Sequence, residues 1–142
     1  MGSVLSEVVE KMRKKFEDKL IAIILFGSYA KGKATRYSDL DLLLVVKDLP
    51  EKKIERFDII VDIILYFLKK YGIRISPILV KPEELSPKFI NPLIYGILTG
   101  YRVIYEKNEF WKNYLKAIKP IILKKKPIYI ERDKEWEIAK LI

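Results

Sequence analysis

The sequence predicts an α/β protein in which a small mixed sheet of about four or five strands carries helices. Two patterns lead to this fold class. Apolar runs of strand length recur along the chain between stretches whose apolar residues follow helical spacing, and Gly or Pro residues separate many of these segments. The length of 142 residues and the hydrophobic content of 50% suit one globular domain, which we expect over residues 1–142.

A helix and two strands are predicted first. Residues 20–26 form a continuous apolar run, which predicts a strand buried on both faces, and Gly27 ends that strand. Residues 40–46 predict the second strand. The opening helix is amphipathic, with charged residues between the members of its apolar side, which are Val4, Leu5, Val8, Val9, Met12 and Phe16.

A long helix follows, which we expect to begin at Pro50 and to end before Gly72. Its apolar residues are too many for packing on one sheet alone, so the sequence predicts a second contact for this helix, such as a subunit partner. One apolar stripe consists of Ile54, Phe57, Val61, Ile64, Leu68 and Tyr71, and the face is widened by Ile60, Ile63 and Phe67.

The elements after this helix are shorter. Residues 73–80 predict a third strand, which Pro77 places at a sheet edge or at a bulge. Asn91 caps a predicted short helix at 92–99, and Gly100 follows it. The remaining predicted elements are a strand at 101–105, a helix at 110–118 that Pro120 stops, a short strand at 128–130 and a terminal helix at 136–142.

The segment between the first two strands carries the clearest functional signal. Asp39 and Asp41 lie two residues apart at the start of a strand, so their side chains share a face and suit a divalent metal ion. Gly27 allows the backbone to approach a ligand, and Ser28 can cap the next helix or bond a phosphate. Phosphoryl transfer uses such a construction. The cations available to hold phosphates are Lys31, Lys33 and Arg36.

The composition excludes several chemistries. With no Cys and no His, the chain has no thiol nucleophile, no Ser-His-Asp triad and no zinc site built from these ligands. The net charge of +9 favours anionic partners such as nucleotides or nucleic acid, although a composition rich in Lys, Glu and Ile is also typical of thermophiles.

We expect a cytoplasmic protein without a membrane partner, because no apolar run reaches about 18 residues and the first residues do not resemble a signal peptide.

These residues resemble the signature of the DNA polymerase beta-type nucleotidyltransferase superfamily, in particular its minimal nucleotidyltransferases. Gly27-Ser28, a spacer of ten residues and Asp39-Leu40-Asp41 carry the resemblance. It is specific over residues 20–46 and extends loosely to residue 80, so the motif core spans about 20–80 and a carboxyl-terminal extension about 88–142.

The resemblance implies a polymerase beta palm-like fold, nucleotide phosphates at Gly27 and Ser28, and one or two Mg²⁺ ions at Asp39 and Asp41. It also implies transfer of a nucleoside monophosphate, with AMP from ATP as the expected case, to an acceptor hydroxyl. Several stand-alone relatives are MntA-like antitoxins that adenylylate a tyrosine of a HEPN-class toxin. A protein acceptor is therefore the expectation for the family.

One position departs from the family pattern. The family has a third carboxylate on the next strand, and the corresponding place falls near Ser76, which is a poor base. Asp62 lies in an apolar run similar to the family's third motif, but it falls on the polar side of the long helix and we favour a solvated residue. Glu83 and Glu84 either reach back to the site or begin a helix after Pro82.

Three functional hypotheses result. The first is a Mg²⁺-dependent nucleotidyltransferase with Asp39 and Asp41 as its catalytic residues. The second is a catalytically degenerate nucleotide-binding antitoxin that sequesters a toxin through its wide helix face and aromatic carboxyl-terminal half. The third and least favoured is a basic nucleic-acid-binding domain. We favour core packing for Tyr95, Tyr101, Tyr105, Phe110, Trp111 and Tyr114, and a solvated turn for Lys124–Lys126.

Overall fold

A computed structural model describes residues 1–125 of the chain. Within this part, four strands alternate with five α-helices and two short 3-10 turns. The predicted strand at 128–130, the predicted helix at 136–142 and Lys126 lie outside the described residues. In chain order the elements are α1 (Gly2–Phe16), β1 (Leu20–Phe26), α2 (Gly27–Ala30), β2 (Leu40–Val46), α3 (Lys53–Tyr71), β3 (Ile75–Val80), α4 (Pro92–Leu98), β4 (Tyr101–Glu106) and α5 (Phe110–Lys125), with the 3-10 turns at Glu17–Lys19 and Pro82–Glu84.

The four strands form one mixed sheet in the order β3-β2-β1-β4. β1 pairs antiparallel with both β2 and β4, whereas β2 and β3 are parallel. The α/β class and the mixed sheet are therefore as predicted. β3 is an edge strand, which explains how Pro77 is tolerated, because an edge strand has one side without ladder hydrogen bonds.

Helices cover both faces of the sheet, and a separate apolar core lies on each face. One core joins α1 and α3 to the sheet, and the other joins α4 and α5 to the opposite face. β1 contributes to both: Ile23 and Leu25 lie in the first core and Ile24 in the second. Every residue from Leu20 to Leu25 is buried, so the prediction of a strand buried on both faces is confirmed.

α3 begins at Lys53, three residues later than predicted, and its apolar residues divide into two faces. The face against the sheet is formed by Ile60, Ile63 and Phe67, together with the buried Arg56. Most of the apolar stripe named in the sequence analysis points to solvent. The sequence left open which side of the helix is buried, because a helix with apolar residues on two sides gives no single direction for burial.

α4 and α5 differ in how well they were predicted. Asn91 caps α4 by accepting the Leu93 N–H at 2.9 Å, as the Asn-Pro pair indicated. The prediction that Pro120 stops α5 was wrong. Pro120 has no N–H to donate to the carbonyl of Lys116, and both residues are exposed. Water can therefore bind that carbonyl, while buried residues on the other side of α5 hold the helix in place.

Within residues 1–125, no helix is both long enough and apolar enough to cross a lipid bilayer.

Candidate functional site

The two halves of the motif meet where β1 ends and β2 begins. Phe26 is paired with Asp41 in the antiparallel register, so the turn after β1 lies beside the first residues of β2. Gly27 has φ of +73°, and a Cβ atom built on it would lie 2.1 Å from Asp41 Oδ2 and 3.0 Å from Asp41 Cγ. Glycine is thus required here twice, for the left-handed backbone and for the close approach of the Asp41 carboxylate.

Asp39 and Asp41 lie on one face at the entrance of β2. Asp39, the second residue before Asp41, is exposed, and Asp41 is half-buried. Burial raises the pKa of Asp41, the negative charge of Asp39 raises it further, and a hydrogen bond from the Ser76 hydroxyl acts in the opposite direction. The two carboxylates are therefore close enough to interact, as their spacing predicted. Their role as metal ligands stays a prediction.

Arg74 joins the site, although the sequence analysis did not single it out. Its Nε lies 3.0 Å from Asp39 Oδ1, and its Nη2 donates to the Tyr37 carbonyl at 3.1 Å. The backbone carbonyl of Arg74 accepts the Leu40 N–H at 2.8 Å, which fixes the residue beside the start of β2. The sequence feature that could have identified Arg74 is its position, two residues before Ser76, where a third carboxylate was expected.

The third position of the site is occupied by Ser76. The parallel register pairs Ser76 with Asp41, so the place inferred from counting along the third strand is the one that faces the aspartates. Within residues 1–125, no group of three or more His, Cys, Asp or Glu side chains is arranged to hold a metal ion. Two carboxylates and a hydroxyl still form an all-oxygen set, which suits Mg²⁺ if water and phosphate oxygens fill the other positions.

The other acidic candidates lie elsewhere. Asp62 is exposed on α3 and pairs with Lys15 at 2.8 Å, which confirms the solvated interpretation. Glu84 does not reach back to the site, because its two oxygens bind the buried Arg56 at 2.7 and 3.3 Å beyond the opposite end of β3. Arg56 also donates to the carbonyls of Pro50 and Leu79. This cluster holds α3 against the sheet.

The three predicted phosphate-binding cations are all exposed in the segment between α2 and β2. Lys33 is held by its backbone N–H, which donates to the Ser28 carbonyl at 2.9 Å. Arg36 donates to the Tyr37 hydroxyl at 2.7 Å and lies 4.9 Å from the centre of that ring. Lys31 packs along Gly100, where an added Cβ would lie 2.6 Å from Lys31 Cγ. Their binding of phosphate stays a prediction.

Two of the aromatic residues pack inside the protein, as we favoured. Trp111 and Tyr114 are buried with ring centres 5.4 Å apart, and Tyr101 meets Trp111 edge-on at 5.8 Å. The edge-on geometry is a favourable arrangement for aromatic rings. These rings belong to the core beneath α5, and Tyr101 pairs with Phe26, whose other neighbour in the sheet is Asp41.

Comparison with known proteins places the chain among relatives of one kind. The sequence model of a family described as "Nucleotidyltransferase domain" matches residues 5–141. Two proteins of Methanocaldococcus jannaschii, each named as a putative protein adenylyltransferase, are similar along most of their length. One is 57% identical over 142 residues, covering 100% of this chain and 97% of the relative. The other is 38% identical over 102 residues, covering 71% and 94%.

Solved structures share the fold at low sequence identity. A crystal structure described as a toxin-antitoxin with AMP-PNP aligns with a TM-score of 0.53 at 19% identity, covering 84% of this chain and 91% of that chain. A tri-AMPylated Shewanella oneidensis HEPN toxin in complex with MNT antitoxin gives a TM-score of 0.52 at 18% identity, covering 90% and 95%. Likeness at this level of identity supports the fold.

Proposed function

The chain belongs to the nucleotidyltransferase domain family, and from this premise we propose that it transfers AMP from Mg²⁺-bound ATP to a hydroxyl group of a partner protein. The names of the M. jannaschii relatives support a protein acceptor. The descriptions of the structural neighbours, which include AMP-PNP and a HEPN toxin, support ATP as the nucleotide and a toxin of that class as the partner.

The contact between Gly27 and Asp41 is the observation that supports this proposal most strongly. The two residues belong to the two halves of the motif, and the missing side chain of the glycine leaves the space that the Asp41 carboxylate fills. An aspartate that merely ended a strand in solvent would not need a glycine with positive φ against it. A carboxylate held in place beside an open turn is what a metal-nucleotide site requires.

Asp39 and Asp41 would hold the Mg²⁺, and each neighbouring side chain has a distinct role. When bound, the ion neutralises charge on the triphosphate and polarises the reacting phosphate. The Ser76 hydroxyl orients the Asp41 carboxylate by hydrogen bonding, and Arg74 fixes Asp39 by its ion pair. We assign phosphate binding to Gly27 and Ser28 and, from the exposed segment that follows, to Lys31, Lys33 and Arg36.

The proposed reaction is a direct displacement at the α-phosphorus of ATP. The acceptor oxygen forms a bond to this phosphorus while the bond to the bridging oxygen of pyrophosphate breaks, and pyrophosphate leaves. The hydroxyl proton passes to solvent, since Ser76 replaces the third carboxylate of the family beside Asp41. Positioning and charge neutralisation account for the rate under this proposal.

Ser76 also favours a second candidate function, in which the site binds nucleotide without transferring it. A serine is a weaker base and a weaker metal ligand than the carboxylate expected at this position. The protein would then act as a nucleotide-binding partner of a toxin. Binding of Mg²⁺-ATP in the absence of transfer distinguishes this candidate from the first.

The experiment compares ATP labelled on the α-phosphate with ATP labelled on the γ-phosphate, incubated with the protein, Mg²⁺ and an extract of its own cells. Asp41→Asn is tested beside Asp48→Asn, which removes an exposed carboxylate past the far end of β2. Incorporation of α-label alone, lost in Asp41→Asn and kept in Asp48→Asn, supports adenylyl transfer. Incorporation of γ-label would overturn it, and ATP binding without incorporation would favour the second candidate.

A further inference from the structure

One face of α3 carries a row of exposed apolar side chains. Of the ten large hydrophobic residues that are exposed among residues 1–125, five lie on this helix. Single exposed apolar residues are ordinary, but a contiguous group on one face marks a contact surface. We call this group the α3 stripe, and its members are Ile54, Phe57, Val61, Leu65 and Leu68.

The α3 stripe is not explained by the packing of the helix on its own sheet. At about 100° per residue, its members fall within an arc of about 80°, directed away from the buried Ile60, Ile63 and Phe67. The buried residues already bind α3 to the sheet, and Arg56 adds an ion pair to Glu84 at 2.7 Å. The stripe therefore requires a separate explanation.

The spacing of the stripe is symmetric about its centre. Its members follow one another at intervals of three, four, four and three residues, with Val61 in the middle. If a second copy of α3 crosses antiparallel at Val61, that residue meets the partner subunit's Val61, Phe57 meets the partner subunit's Leu65, and Ile54 meets the partner subunit's Leu68. We propose that the α3 stripe is the interface of a twofold-symmetric dimer of this chain, in which α3 packs antiparallel against its copy.

The charges beside the stripe favour the same arrangement. Glu55 and Asp58 flank its amino-terminal half, and Lys69 flanks its carboxyl-terminal half on the same side. Antiparallel packing about the twofold axis brings Glu55 near the partner subunit's Lys69, whereas parallel packing would place these two flanks on opposite sides of the interface. The next acid on this side, Asp62, is already paired with Lys15 of its own chain.

The arrangement leaves the candidate site open. Gly72 and Ile73 connect the end of α3 to Arg74, so the aspartates lie at the end of the molecule nearest Leu68. A twofold axis at Val61 then places the two sites of the dimer at opposite ends. An acceptor can approach either site without displacing the second copy. This proposal therefore does not depend on the proposed function.

The first test measures the mass of the whole protein in solution by sedimentation equilibrium over a range of concentrations. Val61→Lys places two like charges at the twofold axis, and we expect the dimer dissociation constant to rise about tenfold or more. Val103→Lys is the matched control, because Val103 lies on β4 with 40% exposure against 39% for Val61. Circular dichroism verifies that both variants are folded.

The second test uses the absence of cysteine from the chain. Under mild oxidation, Val61→Cys should form a disulfide-linked dimer and Val103→Cys should not. A mixture of Phe57→Cys and Leu65→Cys should cross-link more than either variant alone, which reports the antiparallel register.

Two results would overturn the proposal. One is a monomer at all concentrations, with no cross-link at position 61. The other is protection of the α3 stripe from hydrogen exchange that occurs only when a different protein, such as a toxin, is added.

Discussion

Replacing Gly27 by alanine tests the geometry of the candidate site most directly. The added Cβ would lie 2.1 Å from Asp41 Oδ2, so the carboxylate must move by about 1 Å to reach an ordinary contact distance. A displacement of this size in a catalytic group can lower activity about 100-fold. We therefore expect Gly27→Ala to abolish most Mg²⁺-dependent nucleotide binding and transfer.

Gly32→Ala provides the control, because it separates the effect of backbone strain from the effect on Asp41. Gly32 has φ of +70°, close to the +73° of Gly27, but an added Cβ has nothing within 4 Å. Both variants place alanine in a left-handed conformation, at a cost of about 1–2 kcal/mol. For a chain of this length, that corresponds to a melting temperature lowered by about 3–7 °C.

Thermal unfolding by circular dichroism and calorimetric titration with Mg²⁺ and ATP together distinguish the two effects. Both variants should lose thermal stability, Gly27→Ala the more because its Cβ also displaces Asp41, and Gly27→Ala alone should lose nucleotide binding. If Gly27→Ala binds Mg²⁺-ATP as tightly as Gly32→Ala does, the Asp41 carboxylate is not part of the nucleotide site. The proposed function would then lose its main support.

Four further predictions concern single side chains. Ser76→Asp adds a carboxylate beside Asp41, and we expect tighter Mg²⁺ binding by calorimetry and faster transfer, with lower stability when no metal is present because like charges repel. Arg74→Gln frees Asp39 from its ion pair and should tighten Mg²⁺ binding in the absence of nucleotide, by less than about fivefold for so exposed a pair. Arg56→Met leaves the Leu79 and Pro50 carbonyls without their donor and should lower the free energy of unfolding in urea by about 3 kcal/mol. Hydrogen bonds from Tyr66 and then Tyr71 lower the pKa of Glu7 from 4.5 to about 2. The ionised Glu7 therefore stabilises the fold above pH 4.5, and this stabilisation is lost as the pH falls towards 2. The difference in melting temperature between wild type and Glu7→Gln should shrink over the same pH range.

The sequence was most informative where burial and local geometry coincide. The apolar runs of β1 and β2 predicted their strands, because a strand covered on both faces has no polar alternation to obscure it. The Gly27-Ser28 turn and the two aspartates were predicted to lie together, and the register of β1 with β2 places Asp41 opposite Phe26. The resemblance predicted that the position of a third carboxylate falls near Ser76, and the parallel register of β2 with β3 places Ser76 beside Asp41.

The features that were missed depend on distant partners. Arg74 reaches Asp39 only because β3 lies beside β2, and no local pattern in the sequence marks that pairing. The sequence left the direction of α3 open because both of its sides are apolar, and only the position of the sheet decides which side is buried. Pro120 lies inside α5, against the local rule that proline ends a helix, because its surroundings are exposed and water can bind the freed carbonyl.

The charges of the site indicate how a metal ion and a nucleotide would enter it under the proposed function. Around Asp39 and Asp41, two carboxylates and one ion-paired arginine give a net charge of about −1 by simple addition. A third carboxylate would double that charge and hold a divalent ion more firmly before any nucleotide arrives. With Ser76 in that place, the missing charge and oxygen ligands must come from the triphosphate itself. We therefore expect Mg²⁺ to bind weakly to the protein alone and tightly together with ATP, so the affinity for each should rise by the same factor when the other is present.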